Sequence, residues 1–157
     1  MIRIAVPLLL MAALPRLLTA QGTNREHPWA HADSVAVFGE RKVALRASAW
    51  RDFMPRRGEA PDGSDLMVNL QIQALDNLPL PPGLAVDSAW VRGAEGHWST
   101  APGREPRPEL ANGLDLILRG GPKWPTDQAI DVLVRVRLAD GEERYLSALT
   151  RPIGRTE

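Results

Sequence analysis

Cysteine is absent from all 157 residues, and its absence excludes several kinds of site. Disulfide frameworks, thiol catalysis, zinc ribbons and iron–sulfur clusters all depend on cysteine sulfur. The fold must therefore be stabilised by the packing of its own core. This is feasible, because a chain of roughly 135 residues buries about two-thirds of its unfolded surface.

An excess of charge of either sign is also missing. The whole chain has 19 basic and 19 acidic side chains. Removal of an N-terminal export segment would take away Arg3 and Arg16, leaving 17 basic against 19 acidic side chains, a net charge of −2. Nucleic acids and anionic membranes are bound by basic surfaces. We therefore expect neither as a partner.

No long hydrophobic run is present, but a short one lies at the N-terminus. Residues 4–14 (IAVPLLLMAAL) are apolar, and Arg16 limits this run. A membrane-spanning helix needs about 20 apolar residues. The pattern therefore predicts a signal peptide over residues 1–20, cleaved after Ala20 or Gly22. An uncleaved membrane anchor is the alternative. After cleavage we expect no stable membrane span and a periplasmic or secreted protein.

The rest of the chain divides into a polar segment and one domain. Residues 21–32 (QGTNREHPWAHA) lack hydrophobic periodicity, which predicts a tether. Residues 33–157 have the pattern of β-strands. The clearest strand is Leu66–Ala74, in which inward apolar residues alternate with Met, Asn and Gln over nine positions. This period of two is typical of a strand with one buried face.

A hairpin is predicted near the C-terminus. Residues 130–138 and 144–150 are strand candidates, and Asp140 and Gly141 between them favour a tight turn. Leu133 breaks the polar alternation of the first strand, which indicates that its outward face is partly covered. The remaining strand candidates are residues 34–38, 42–50, 84–92 and 113–119.

Seven short strands separated by loops containing glycine and proline predict an all-β fold. We expect a single immunoglobulin-like antiparallel β-sandwich of about seven strands over residues 33–157. A closed barrel is the alternative.

Five tryptophans stand against one tyrosine and two phenylalanines. Trp90 lies in the middle of a predicted strand, and we expect it in the core. Trp50 begins the segment WRDFMP, where Phe53 and Met54 are expected to close one end of the core.

Trp98 (in GHWST) and Trp124 (in GGPKWP) are predicted to lie in loops. Aromatic side chains in loops can stack on sugar rings or anchor a protein partner. These two residues are therefore the candidates for partner binding. The alternative is that they cover the open ends of the sandwich.

The histidines raise a second hypothesis, because Glu26 and Asp33 lie close to two of them in sequence. Imidazole and carboxylate groups bind copper, nickel and zinc. Pro28 disfavours the helix that would place the first two histidines side by side, so a solvated tether is the favoured interpretation. The candidate metal ligands are His27, His31 and His97, with Met54 or Met67.

Motifs for catalysis or cofactor binding are not found. No serine lies in a Gly-x-Ser-x-Gly elbow. Gly120 and Gly121 precede a proline and no predicted helix, so they do not form a phosphate-binding loop. We expect no catalytic residues and no cofactor.

Residues 49–55 (AWRDFMP), 121–125 (GPKWP) and 129–138, with the closing RPIGRT, resemble a group of exported bacterial proteins of uncharacterised function. Members of that group carry a signal peptide and one immunoglobulin-like β-sandwich. The resemblance implies the fold and transfers no functional residues. The tryptophans in predicted loops and the missing catalytic motifs predict an exported, non-catalytic module that binds a protein or glycan, and the alternative is a periplasmic metal-handling protein.

Overall fold

A computed structural model describes residues 28–54, 62–104 and 112–157. The predicted signal peptide and residues 21–27 of the predicted tether lie outside these ranges. Within the described ranges, no helix is long and apolar enough to cross a membrane.

The described residues form eleven strands and one short 3-10 helix, Pro28–His31. The strands are β1 (Ala32–Asp33), β2 (Val35–Phe38), β3 (Arg41–Asp52), β4 (Leu66–Ala74), β5 (Ala85–Gly93), β6 (Gly96–Thr100), β7 (Gly103–Arg104), β8 (Gly113–Gly121), β9 (Ala129–Arg137), β10 (Glu143–Pro152) and β11 (Gly154–Thr156). Sheet A has the order β1-β10-β9-β5-β6. Sheet B has the order β11-β3-β4-β8-β7, and β2 also pairs with β3.

The two sheets pack face to face, which confirms the all-β class and the two-layer architecture. The seven predicted strands correspond to β2, β3, β4, β5, β8, β9 and β10. The short strands β1, β6, β7 and β11 were not predicted, because two to five residues are too few to show a period. The expectation of wholly antiparallel sheets is wrong, since β1 pairs with β10 and β11 with β3 in parallel.

The core lies between the inward faces of the sheets, and β4 contributes its central row. Leu66, Val68, Leu70 and Ile72 have no exposed surface, and they alternate with half-buried residues along the strand. Complete burial of such a side chain contributes about 1.5–3 kcal/mol relative to an exposed position. The period of two in the sequence therefore corresponds to the main apolar layer of sheet B.

The predicted C-terminal hairpin is confirmed by the pairing of β9 with β10. The Leu138 amide donates to the Glu142 carbonyl at 2.9 Å, and the Gly141 amide donates to the Leu138 carbonyl at 3.1 Å. Gly141 has a φ of +91°, a conformation that glycine adopts without steric cost.

The core position predicted for Trp90 is wrong. Its neighbours Ala89 and Val91 are buried on the inward face of β5, so the Trp90 side chain lies half-buried on the outward face. There its ring centroid is 6.1 Å from that of Tyr145. Leu133 pairs with Trp90 across the sheet and has no exposed surface. The outward face of β9 is therefore partly covered, as the sequence predicted.

The N-terminal described residues pack on sheet A. The Arg92 guanidinium lies 4.1 Å from the centroid of the Trp29 ring and also pairs with Asp131 at 2.9 Å. Ala32 pairs with Tyr145 through the β1–β10 contact. Residues 28–32, which we predicted as part of the tether, thus contact the domain.

Candidate functional site

A cleft of about 490 Å³ opens at one end of the sandwich, where three connections meet. These connections are the β2–β3 turn, the β4–β5 loop over residues 75–84 and the β9–β10 hairpin turn. We call this space the end cleft. It is lined by Phe38, Gly39, Arg41, Pro79, Leu80, Pro81, Pro82, Leu138, Asp140 and Glu142.

Local backbone geometry brings the three connections together. Gly39 has a φ of +59° in the β2–β3 turn, and Gly83 has a φ of +72° in the β4–β5 loop. A Cβ atom on Gly83 would lie 2.8 Å from the Cβ of Ala139. The proline-rich loop can therefore approach the hairpin turn only because position 83 is glycine.

An acidic residue organises the start of the β4–β5 loop. Asp76 accepts a hydrogen bond from the Leu78 amide at 3.0 Å and another from Arg41 Nη1 at 2.8 Å. The bond from the Leu78 amide, followed by that from Arg41, lowers the pKa of the Asp76 carboxyl from its ordinary value. This carboxylate therefore joins the loop to the first residue of β3.

The end cleft combines an apolar floor with polar groups at its rim. Phe38 is buried, and Leu80 and Leu138 are half-buried against the core. At the rim, Asp140 Oδ1 accepts the Glu142 amide at 2.9 Å, and Glu142 pairs with Arg144 at 2.6 Å. The site can therefore enclose an apolar group and form hydrogen bonds beside it.

The other end of β3 carries a buried charge that the sequence analysis missed. The Arg51 side chain is 5% exposed and donates to the carbonyl oxygens of Ser64 at 2.9 Å and Trp124 at 3.0 Å. It also donates to the carbonyls of Asp62 and Lys123. These carbonyl oxygens replace water as the hydrogen-bond partners of the guanidinium, because a buried charged group must be hydrogen-bonded.

Aromatic stacking completes this end of the sandwich. The guanidinium carbons of Arg51 and Arg155 lie 4.9 and 4.0 Å from the Phe53 ring centroid. Met54 is 51% exposed. Phe53 therefore contributes to this end as expected, whereas Met54 leaves about half of its side chain in solvent. We call the group formed by Arg51, Phe53 and Arg155 the arginine cap.

Trp124 contacts the arginine cap through its carbonyl, Trp98 packs beside Gly121, and neither lines the end cleft. Trp98 is in β6, so its predicted position in a loop is wrong. Its half-buried ring packs on the core, and a Cβ atom on Gly121 would lie 2.8 Å from Trp98 Cζ3. Trp124 follows β8 in a loop, as expected, and is 7% exposed. A partner-binding role for these residues stays a prediction.

The candidate metal ligands are distributed over separate elements. His31 is exposed in the 3-10 helix, and His97 is exposed on β6. Met67 is half-buried on β4, where its sulfur lies 3.6 Å from Arg119 Nη1. His27 lies outside the described residues, and across residues 28–54, 62–104 and 112–157 no group of three His, Asp or Glu residues could hold a metal ion. The metal site stays a prediction.

No protein-family model, curated protein or solved structure matches this chain. The interpretation of the end cleft therefore depends on its own geometry. In the sequence, two of the segments around the end cleft are recognisable as turns, the LPLPPG segment and Asp140–Gly141. They lie far apart along the chain.

Proposed function

We propose that this protein is an exported, non-catalytic binding module that takes an apolar side chain of a protein partner into the end cleft. The observation that carries this proposal is the apolar floor of Phe38, Leu80 and Leu138 beneath a polar rim. The volume of about 490 Å³ is in the range of small-molecule pockets, so a single side chain fits within it.

The rim chemistry favours a peptide over a purely apolar ligand. Arg41 uses Nη1 for Asp76, and its other N–H groups make no hydrogen bond within the described residues. Asp140 accepts the Glu142 amide through Oδ1, which leaves Oδ2 as an acceptor. A peptide presents a carbonyl and an N–H group on either side of each side chain, so it complements both residues.

The location outside the cytoplasm is part of the proposal. It is supported by the N-terminal segment, in which the apolar residues 4–14 are followed by Arg16. The resemblance to exported bacterial sandwich proteins points the same way. Two of its segments, AWRDFMP and GPKWP, contact each other through Arg51 and Trp124.

We also propose that this domain resembles immunoglobulin-like domains in its two-sheet architecture. Two facing sheets, and a chain that changes sheets after β1, β4, β6, β8 and β10, support it. Immunoglobulin domains place their second and third strands in different sheets. Here the second and third of the seven predicted strands, β3 and β4, pair directly in the same sheet. The proposed similarity therefore does not extend to strand order.

The experiment is a titration of the ¹⁵N-labelled protein with acetylated, amidated tripeptides. The peptides carry Leu, Phe or Ser as the central residue. We expect the Leu and Phe peptides to shift the amide signals of Gly39, Leu138 and Asp140, and the Ser peptide to leave them unchanged. Shifts confined to other parts of the domain would contradict the proposal.

A matched pair of variants tests the floor of the end cleft. Leu80→Ser shortens a lining residue, whereas Leu78→Ser changes a leucine in the same loop that is 50% exposed and does not line the cleft. We expect Leu80→Ser to weaken peptide binding about tenfold and Leu78→Ser to leave it unchanged. Thermal unfolding of both variants separates loss of binding from loss of structure.

A further inference from the structure

The outward face of sheet B carries three amide side chains in succession on its central strand. Asn69, Gln71 and Gln73 lie on the solvent side of β4, between Arg46 on β3 and Asp115 on β8. Within the described part of the chain, none of these five side chains forms a hydrogen bond or an ion pair. We call these five residues the amide face.

The strand register fixes the layout of the amide face. Gln71 pairs with Arg46 on one side and with Asp115 on the other, so these three side chains form one row across the sheet. Paired side chains on neighbouring strands are about 4.5–5.5 Å apart at Cβ. Along β4, the positions from Asn69 to Gln73 span about 13 Å. The face therefore offers an array of donors and acceptors wide enough for several ligand groups.

An aromatic ring lies at one end of this array. Trp50 and Met67 pair across β3 and β4, and both are half-buried on the outward face next to the row of Asn69. Tryptophan combines a flat apolar surface with an N–H donor. The Trp50 ring can therefore stack on one sugar unit while the amides form hydrogen bonds with the neighbouring sugar units.

Two residue types on the amide face are unusual for a strand surface that contacts only water. Asn and Asp are depleted in strands, yet Asn69 and Asp115 lie within β4 and β8. Departures from local preference concentrate at functional sites. The outward face of sheet A differs, because Arg135 pairs there with Asp87 at 2.8 Å and Arg92 with Asp131 at 2.9 Å.

We propose that the amide face binds a neutral oligosaccharide, at a site separate from the end cleft. Each amide has both donors and acceptors, as each sugar hydroxyl does, so the two pair without leaving a group unsatisfied. Arg46 and Asp115 balance each other in the central row, while Arg119 adds a cation beside Met67, so an anionic probe is the necessary comparison for a neutral ligand. The near-neutral charge of the whole chain agrees with a neutral ligand.

The test uses the ¹⁵N-labelled protein and three soluble neutral probes, cellohexaose, chitohexaose and maltohexaose, with hexagalacturonate as an anionic probe. The readout is the side-chain NH₂ signals of Asn69, Gln71 and Gln73, together with the Trp50 indole signal. We expect at least one neutral probe to shift these signals and the anionic probe to leave them in place. Stronger binding of the anionic probe, or no shift with any neutral probe at millimolar concentration, would overturn the proposal.

Variants then connect the signals to affinity. We expect Gln71→Ala and Trp50→Ala each to weaken binding of the active neutral probe about tenfold, which corresponds to the loss of one or two hydrogen bonds or of ring stacking. Ser147→Ala, on the outward face of sheet A, is the matched control and should change the affinity less than twofold.

The end cleft provides an independent control. Leu80→Ser should leave oligosaccharide binding unchanged, so a failure of the peptide experiment and a failure of the oligosaccharide experiment are separate results. If Leu80→Ser reduced oligosaccharide binding as much as Gln71→Ala, the ligand would occupy the end cleft and the proposal would be wrong.

Discussion

Arg51 Nη1 donates a hydrogen bond to the Trp124 carbonyl oxygen across 3.0 Å, which joins the end of β3 to the loop that follows β8. The guanidinium also reaches the carbonyls of Asp62 and Ser64 before β4. Lys123 adds an ion pair to Asp62 at 2.8 Å, and its hydrogen bond lowers the pKa of the Asp62 carboxyl. One buried side chain therefore holds two loops against the core.

We expect Arg51→Met to destabilise the domain by about 3 kcal/mol. The substitution preserves much of the apolar volume but leaves several carbonyl oxygens without a donor, and each unsatisfied buried group costs about 1–3 kcal/mol. Urea unfolding followed by tryptophan fluorescence measures the change in the free energy of unfolding.

Arg46→Met is the matched control, because Arg46 is an exposed arginine on the same strand. Its effect should be within about 0.5 kcal/mol of zero. Equal effects of the two substitutions would show that the hydrogen bonds of Arg51 do not stabilise the fold.

The contact between Gly121 and Trp98 gives a second prediction. A methyl group on Gly121 would lie within 3.0 Å of the Trp98 ring and of Leu66 Cβ. We expect Gly121→Ala to cost about 1–3 kcal/mol through overpacking. Gly103→Ala is the control, because the nearest atom to its new Cβ would be 3.7 Å away.

A double-mutant cycle identifies the partner in this clash. In the Trp98→Ala background, Gly121→Ala should cost at least 0.5 kcal/mol less than in the wild-type protein, since contacting residues are energetically coupled. An additive double variant would mean that Leu66 alone limits the space at position 121.

The long strands could be predicted because their signals are local. Leu66–Ala74 alternates without interruption, and Asp140 with Gly141 specifies a turn by itself. The side of the sheet on which Trp90 lies could not be predicted in the same way. Both alternating sets of residues in β5 contain apolar side chains, and the register of β5 against β9 shifts between Val86 and Ser88.

The end cleft could not be predicted because no single segment contains it. Phe38 ends β2, Leu80 lies in the β4–β5 loop and Leu138 follows β9, and only the pairing of the strands brings them together. Arg51 did leave a signal, since it continues the inward series of Val43, Leu45 and Ala49 along β3. An arginine in that position indicates a buried charge with hydrogen-bond partners.

Leu133 gives a third prediction, on the outward face of sheet A. We expect Leu133→Ala to cost about 2–4 kcal/mol, as for a core leucine, because Leu133 has no exposed surface beside Trp90, its partner on β5. Its cross-strand neighbour supplies the control, and Ser147→Ala should change stability by less than about 0.5 kcal/mol. A cost of Leu133→Ala below 1 kcal/mol would mean that the side chains around Leu133 rearrange to fill the space.

The ion pairs of Asp87 make stability depend on pH. The hydrogen bond from Arg135, at 2.8 Å, is the main reason that the pKa of the Asp87 carboxyl is lowered in the folded state. A lowered folded-state pKa stabilises the protein above the ordinary carboxyl pKa of about 3.9, and this contribution is lost as the pH falls through the folded value. The affected range therefore lies below about pH 4.

We expect Asp87→Asn to be less stable than the wild-type protein at pH 7, and the difference to shrink as the pH falls below about 4. Urea unfolding of both proteins at pH 7, 5, 4, 3 and 2 measures it. The Arg135→Met background is the control, because without its main partner the difference at pH 7 should be smaller, with Arg137 at 3.2 Å remaining. A difference that stayed constant or grew toward low pH would contradict the role of Asp87, since a protonated carboxyl no longer attracts these arginines.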